Sequence, residues 1–229
     1  MSRQAQASQI EEKVIPFAHD VSDGVGSMSE SISADQEQQY RASAYSILAA
    51  LLRKVPEQEV LEHVANFSSV AVDEDELLLS MSTLGLAAQS SELSAIDDEY
   101  HDLFIGLGRG ELVPYGSWYI TGYLMEKPLS LLRDDLKTLG FERDENIVEP
   151  EDHVAALCEV MTLLITNESP IEGESVDIET QTIFFEKHLS EWINRFFDDL
   201  SNAESAVFYR SVGRFGSAFM NLEKQYLLV

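Results

Sequence analysis

Cysteine is almost missing from this chain of 229 residues. The single thiol, Cys158, excludes an intrachain disulfide and any metal site built from several thiolates. Positive charge is also scarce: 15 Lys and Arg stand against 41 Asp and Glu, a formal charge of −26. Nucleic-acid binding needs a basic footprint, and an anionic membrane surface repels a chain of this sign, so neither partner is expected. A basic peptide is the complementary partner, with general solubility or a saline habitat as the other reading of the acid excess. Long apolar runs are lacking too. The densest, Ile47 to Leu52, has six residues, against the roughly 20 that a membrane span needs. The first fifteen residues hold no apolar stretch of the secretory-signal kind. Together these absences predict a cytoplasmic protein with no resident cofactor or metal and no stable membrane insertion.

What is present is helical periodicity. Hydrophobic residues make up 45% of the chain, enough for a globular core, and they recur three and four apart. Asp35 is the expected start for Tyr40, Ala44, Ile47, Leu48 and Leu51. Pro56 separates that helix from Val60, Leu61, Val64 and Phe67. Asp73 precedes Leu77, Leu78, Met81 and Leu84, and Ser91 is the expected cap for Ile96, Tyr100, Leu103 and Phe104. The pattern stops where Gly106, Gly108, Gly110 and Pro114 crowd together, the mark of an ordered loop or hinge. A short aromatic helix over Trp118 to Met125 follows, then a helix opened by Pro128 and closed by Gly140. Another runs from Pro150 through Val154, Leu157 and Met161. After a polar linker from Asn167 to Asp177 come helices over about 177–200, breaking near Leu189, and about 203–228. No alternating strand pattern is credible. The expected fold is therefore all-α: a single helical-bundle-like domain of roughly nine to ten helices over 34–229, with halves about 34–105 and 118–229, behind a mobile N-terminal arm, 1–33. Opening of the 106–117 hinge would let the halves exchange in a domain-swapped homodimer, the alternative to a monomer.

Most of the reactive residue types read as structural. His63 and His101 lie in ordinary helical segments, and the five histidines have no zinc-ligand spacing. Cys158 sits beside an apolar helix face, as a small buried hydrophobe does. The glycine-rich stretch lacks both the Rossmann context and a P-loop ending. The adjacent acids Asp97-Asp98-Glu99, Asp134-Asp135 and Asp198-Asp199 read as solvated helix faces. Two clusters stand apart. Tyr115-Gly116-Ser117-Trp118-Tyr119 places aromatics beside a glycine turn, where rings form a rigid groove with polar tips, or else pack into the core. Glu149-Pro150-Glu151-Asp152-His153 lies in a segment, 142–179, with 12 acids and one base, Arg143. Acids at a helix start suit its dipole, and they also suit bidentate recognition of guanidinium groups.

Three stretches of this chain resemble the TorD/DmsD family of cytoplasmic chaperones for molybdenum-containing oxidoreductases. They are Glu99-Tyr100-His101-Asp102-Leu103-Phe104-Ile105-Gly106 continuing to Pro114-Tyr115-Gly116-Ser117-Trp118-Tyr119, then Glu149-Pro150-Glu151-Asp152-His153-Val154, and Phe185-Glu186-Lys187-His188-Leu189-Ser190-Glu191-Trp192. Their order and spacing match the family pattern over about residues 36–225. The resemblance implies an all-helical, non-catalytic chaperone that binds an apo-molybdoenzyme catalytic subunit through its basic twin-arginine signal peptide and assists cofactor insertion before export. Carried onto this chain, it implies a signal-peptide or client site at Asp152 and His153, with Leu103, Phe104, Tyr115, Trp118 and Tyr119 in the central segment and His188 and Trp192 orienting the groove. It also raises weak GTP binding, for which no phosphate motif is present. The stretch Leu107 to Val113 departs from the pattern by lacking the proline pair before the aromatic. The alternatives are a helical adaptor without signal-peptide recognition and a hydrolase using His153 with scattered carboxylates.

Overall fold

Ser33, rather than Asp35, opens the first helix. Its N–H donates to the Gln36 side-chain oxygen at 3.0 Å and its hydroxyl accepts from the Gln36 N–H at 3.3 Å, the reciprocal pairing of a capping box. A computed structural model of the chain describes residues 33–70, 75–106, 109–142, 148–166 and 177–228. Apart from Ser33, the expected arm lies outside the described residues, as do Asp73, Gly108 and the linker before Asp177. The chain divides into two compact units, residues 1–37 and 38–229.

Among the described residues there are ten α-helices and no sheet, as the periodicity predicts. In order they are α1 (Ala34–Arg53), α2 (Gln58–Ala65), α3 (Glu76–Ser90), α4 (Leu93–Tyr100), α5 (Gly116–Thr121), α6 (Lys127–Thr138), α7 (Val154–Ile165), α8 (Ile178–His188), α9 (Ile193–Asn202) and α10 (Phe208–Leu227). A 3₁₀ turn (Asn66–Ser69) follows α2, and a π turn (His101–Ile105) continues α4. The helix starts differ in detail from the pattern. Asp75 caps α3, its carboxylate accepting from the N–H groups of Leu77 and Leu78. Ser91 stands at the C-terminal end of α3, and Glu92 precedes α4. The expected break near Leu189 is present between α8 and α9.

The second unit is organised around α10, which packs along α9 and α3 and also meets α4 and α8. Trp192, Phe196, Phe197, Phe208, Tyr209, Phe215 and Phe219 are all within 2% of full burial, each worth about 1.5–3 kcal/mol for an apolar side chain of this class. The helices α9 and α10 cross closely because Gly216 has no side chain: a Cβ there would lie 2.3 Å from the Phe197 ring.

Two buried ionic anchors hold this core. Arg41 of α1 donates to both Glu223 oxygens of α10, at 2.7 and 2.9 Å, and to Gln181 of α8 at 2.9 Å. Tyr45 adds its hydroxyl to the same carboxylate at 3.1 Å. Glu99, read from the sequence as one of a solvated run, is only 8% exposed. Its carboxylate accepts from the N–H groups of Val207, Phe208 and Tyr209 at 2.8, 3.0 and 2.6 Å. It therefore caps α10 from another helix, satisfying donors that the helix cannot satisfy itself.

Candidate functional site

The aromatic and acidic motifs, far apart in sequence, meet at the starts of α5 and α7. Extended backbone at Tyr115 and His153 forms an isolated antiparallel bridge. The Gly116 N–H donates to the Asp152 carbonyl at 2.9 Å, and the Val154 N–H to the Pro114 carbonyl at 2.9 Å. Asp152 then turns its side chain into the first turn of α5, where Oδ2 accepts from the Ser117 N–H at 2.8 Å. His153 does the same for α7: its Nδ1 accepts from the Ala155 N–H at 3.1 Å. Each motif residue thus completes a helix start, and the pair joins the two starts.

Both side chains are buried, Asp152 at 3% and His153 at 8% exposure. Asp152 Oδ1 and the Ser117 hydroxyl are enclosed and have no hydrogen-bond partner among the described residues. Asp152 therefore sits behind α5 in this conformation, whereas direct recognition of a guanidinium needs a carboxylate edge open to solvent. Burial, helped by the Arg53 charge, pushes His153 down to about 4, so the imidazole is neutral and serves as an acceptor. Its ring lies 5.1 Å from that of Tyr115. Burial pushes the Cys158 thiol up from its ordinary value, and the side chain is fully enclosed; a thiol of this kind is not a nucleophile at neutral pH.

On the outer side of α5, Trp118 and Tyr119 line an open cleft of about 310 Å³ together with Arg109, Glu111, Leu112, Val113, Gly122, Arg195 and Asp199. Trp192 backs it. The indole is 1% exposed, its ring centre lies 5.5 Å from that of Tyr119, and its N–H donates to the His188 carbonyl at 2.7 Å. The approach at Gly116 is tight: a Cβ would lie 3.1 Å from the Trp192 Nε1, so a side chain there would press on the indole. His188 Nε2 contacts Asp135 of α6 at 2.8 Å. Burial lowers His188, against the opposing pull of Asp135. The two residues expected to orient the groove thus lie behind it, Trp192 against Tyr119 and His188 bonded to the indole through its carbonyl.

Leu103 and Phe104 are placed elsewhere. Leu103 is fully buried, and the Phe104 ring packs on Tyr100 and Tyr209 at 5.0 and 5.5 Å. The glycine segment folds back on them: Leu112 N–H donates to the Leu103 carbonyl at 2.8 Å. A Cβ at Gly110 would lie 2.5 Å from that same oxygen. Gly106 ends the π turn at φ 60°, a left-handed conformation that glycine accepts without strain.

The polar cleft residues were not legible in the sequence, where Arg195 and Asp199 look like any charged helix surface. Tyr119 donates to Asp199 at 3.0 Å, and the Arg195 guanidinium carbon is 5.1 Å from the Tyr119 ring centre. Glu111 accepts from the N–H groups of Glu204 and Ser205. Burial alone would raise this carboxyl, but these donors outweigh it and hold it below its ordinary value. Among the described residues, no group of three or more His, Cys, Asp or Glu is arranged to hold a metal ion, and no helix is long and apolar enough to cross a membrane.

A protein-family model described as nitrate reductase delta subunit matches residues 58–198, which take in α2 through most of α9 and the joined motifs. The chain belongs to this family. Curated relatives of the chain carry the name TorD. It is 28% identical over 202 residues to the chaperone protein TorD of Vibrio cholerae serotype O1 (strain ATCC 39541), covering 82% of this chain and 91% of that protein. It is 27% identical to the TorD of Vibrio atlanticus (strain LGP32), covering 82% and 94%. A crystal structure of a candidate redox enzyme maturation protein from Archaeoglobus fulgidus superposes with a TM-score of 0.53 at 16% identity, covering 87% of this chain and 99% of that one. The fold is thus shared well beyond the sequence likeness, and the chain's relatives bear out the TorD/DmsD resemblance.

Proposed function

We propose that this protein is a cytoplasmic chaperone that binds the precursor of a molybdenum-containing oxidoreductase through its twin-arginine signal peptide and assists cofactor insertion before export. The observation that carries the reading is the joining of the family's two motifs at an aromatic cleft. Asp152 fixes the start of α5 and His153 that of α7, and α5 presents Trp118 and Tyr119. A leader peptide combines a basic segment with an apolar one. The formal charge of −26 supplies long-range attraction for the first. Rings beside the exposed Tyr123, Leu124 and Met125 offer an apolar seat for the second. Binding of this kind needs no nucleophile and no reacting group. In this reading Asp152 acts by positioning α5.

Calorimetric titration with a synthetic twin-arginine peptide tests the proposal. Asp152→Asn should weaken binding by about fivefold or more, as loss of a charge-assisted hydrogen bond implies, while circular dichroism confirms that the variant remains folded. Affinity should fall between 50 and 500 mM NaCl as the field is screened (Debye length from about 14 Å to about 4 Å). A precursor stripped of its leader and bound as tightly as the intact one would replace this reading with that of an adaptor for the client body.

A further inference from the structure

In a chain so rich in acids, two of the 15 basic residues converge on one cleft from separate segments. Arg109 comes from the glycine-rich stretch and Arg195 from α9. Their guanidinium carbons lie 5.0 Å from the Trp118 ring centre and 5.1 Å from that of Tyr119. Among the described residues, neither guanidinium has a hydrogen bond or an ion pair. The carboxylates of the cleft are already engaged: Glu111 holds the two N–H groups of Glu204 and Ser205, and Asp199 accepts from Tyr119. A guanidinium resting on a ring keeps its N–H donors at its edge, where they match a carboxylate bidentately. The donors left unmet in the cleft are therefore those of the two arginines, and the lining, with two bases and two acids, is formally neutral in a strongly acidic molecule.

We propose that the arginine-lined side of this cleft binds a carboxylate-bearing segment of the client polypeptide, an Asp or Glu beside an apolar residue, next to the rings that the proposed leader reading also uses. Charge complementarity selects the carboxylate. The apolar neighbour is selected by the adjoining surface: Gly122, which lines the cleft, turns the chain at φ 80° into Tyr123, Leu124 and Met125. These are 70%, 47% and 72% exposed. A volume of about 310 Å³ suits one short acidic side chain and its flank rather than a whole folded element. The net charge disfavours a strongly acidic partner, so the segment recognised is short.

The test uses the full chain and the emission of Trp118; the other tryptophan, Trp192, is buried behind the cleft. The probe is a blocked pentapeptide, Gly-Glu-Leu-Asp-Gly, titrated beside its Gln/Asn counterpart and beside inorganic phosphate. The acidic peptide should give a saturating change, and the amide peptide should bind at least about tenfold more weakly. R109Q and R195Q should each lose about fivefold or more, and R210Q, an exposed position on α10, should match the parent. Equal binding of the acidic and amide peptides overturns the proposal. So does phosphate that competes at the affinity of the peptide, because the site is then one for free anions. A twin-arginine peptide titrated in parallel keeps the two readings apart: its failure to bind with the acidic response intact counts against leader recognition alone.

Discussion

Removing the Glu99 carboxylate should unfasten α10 from α4, at a cost that the geometry allows to be bracketed. The group is 8% exposed and accepts three backbone N–H bonds at the start of α10, from Val207, Phe208 and Tyr209. The cap residue of that helix, Val207, has no side-chain acceptor of its own. A hydrogen bond to a charged group contributes about 1.5–3 kcal/mol, and a buried donor left unmade costs about 1–3 kcal/mol. A negative charge at a helix start adds up to about 2 kcal/mol in a partly buried setting. These contributions overlap, and water reaches part of the freed end, so the sum is not the expectation. Glu99→Ala should cost about 3–5 kcal/mol. Glu99→Gln, which keeps one acceptor oxygen but loses the charge, should cost about 2–3 kcal/mol on the same grounds. Urea unfolding followed by far-UV circular dichroism reads this as a lowered midpoint at unchanged slope. Asp98→Asn, at the exposed neighbour, should stay within about 0.5 kcal/mol. A loss below about 1 kcal/mol for Glu99→Ala would refute the reasoning, because the three short contacts would then contribute no more than a solvated side chain does.

Two further predictions follow from buried polar groups. Burial holds His153 at about 4 in the folded chain against about 6.5 when unfolded. Its contribution to stability is therefore complete above about pH 6.5 and is lost as pH falls toward 4, amounting to about 2 kcal/mol between pH 7 and pH 5. Urea midpoints of His153→Asn should be less sensitive to pH than the parent by that amount, and parallel profiles would exclude the assignment. At the other anchor, Arg41→Met should cost about 3–5 kcal/mol by stranding Glu223, and Arg41→Met combined with Glu223→Met should recover most of it. A double variant as unstable as the single one in thermal melts would show that the pair does more than neutralise itself.

Helix identity was legible because each helix carries one long apolar face and the breaks carry glycine or proline. Gly140 follows α6 at φ 78°, and Pro128 lies in its first turn. Legibility failed where one side chain completes another element. Ser33 caps α1 in place of Asp35, and Asp75 caps α3, because a cap is chosen by local backbone geometry, and several polar residues compete within two or three positions. Glu99 looked solvated because its partners, 108 to 110 residues later, leave no local trace. The same reason hid the role of Asp152. Its proximity to Trp118 follows from the motif order, but the direction of its carboxylate depends on a bridge between Tyr115 and His153 that no periodicity encodes. Arg109 and Arg195 converge only in three dimensions. Composition predicted an anionic molecule, and the cleft lining, with two arginines against two acids, departs from that average.

The pair formed by Arg41 and Glu223 sets a constraint on the order of events during synthesis. The two partners are 182 positions apart, and Gln181, which accepts from the same guanidinium, is made 140 positions after it. Translation runs from the N-terminus, at about 5–20 residues per second. Arg41 therefore emerges roughly ten seconds or more before its counter-charge exists. Until then the guanidinium remains hydrated, because enclosing it alone would cost several kcal/mol. The apolar side of α1, which carries Tyr45, Leu48, Leu51 and Leu52, must wait with it. A protein whose relatives are chaperones is thus itself exposed as a nascent chain, and α1 is among the last of its described helices to find a permanent place.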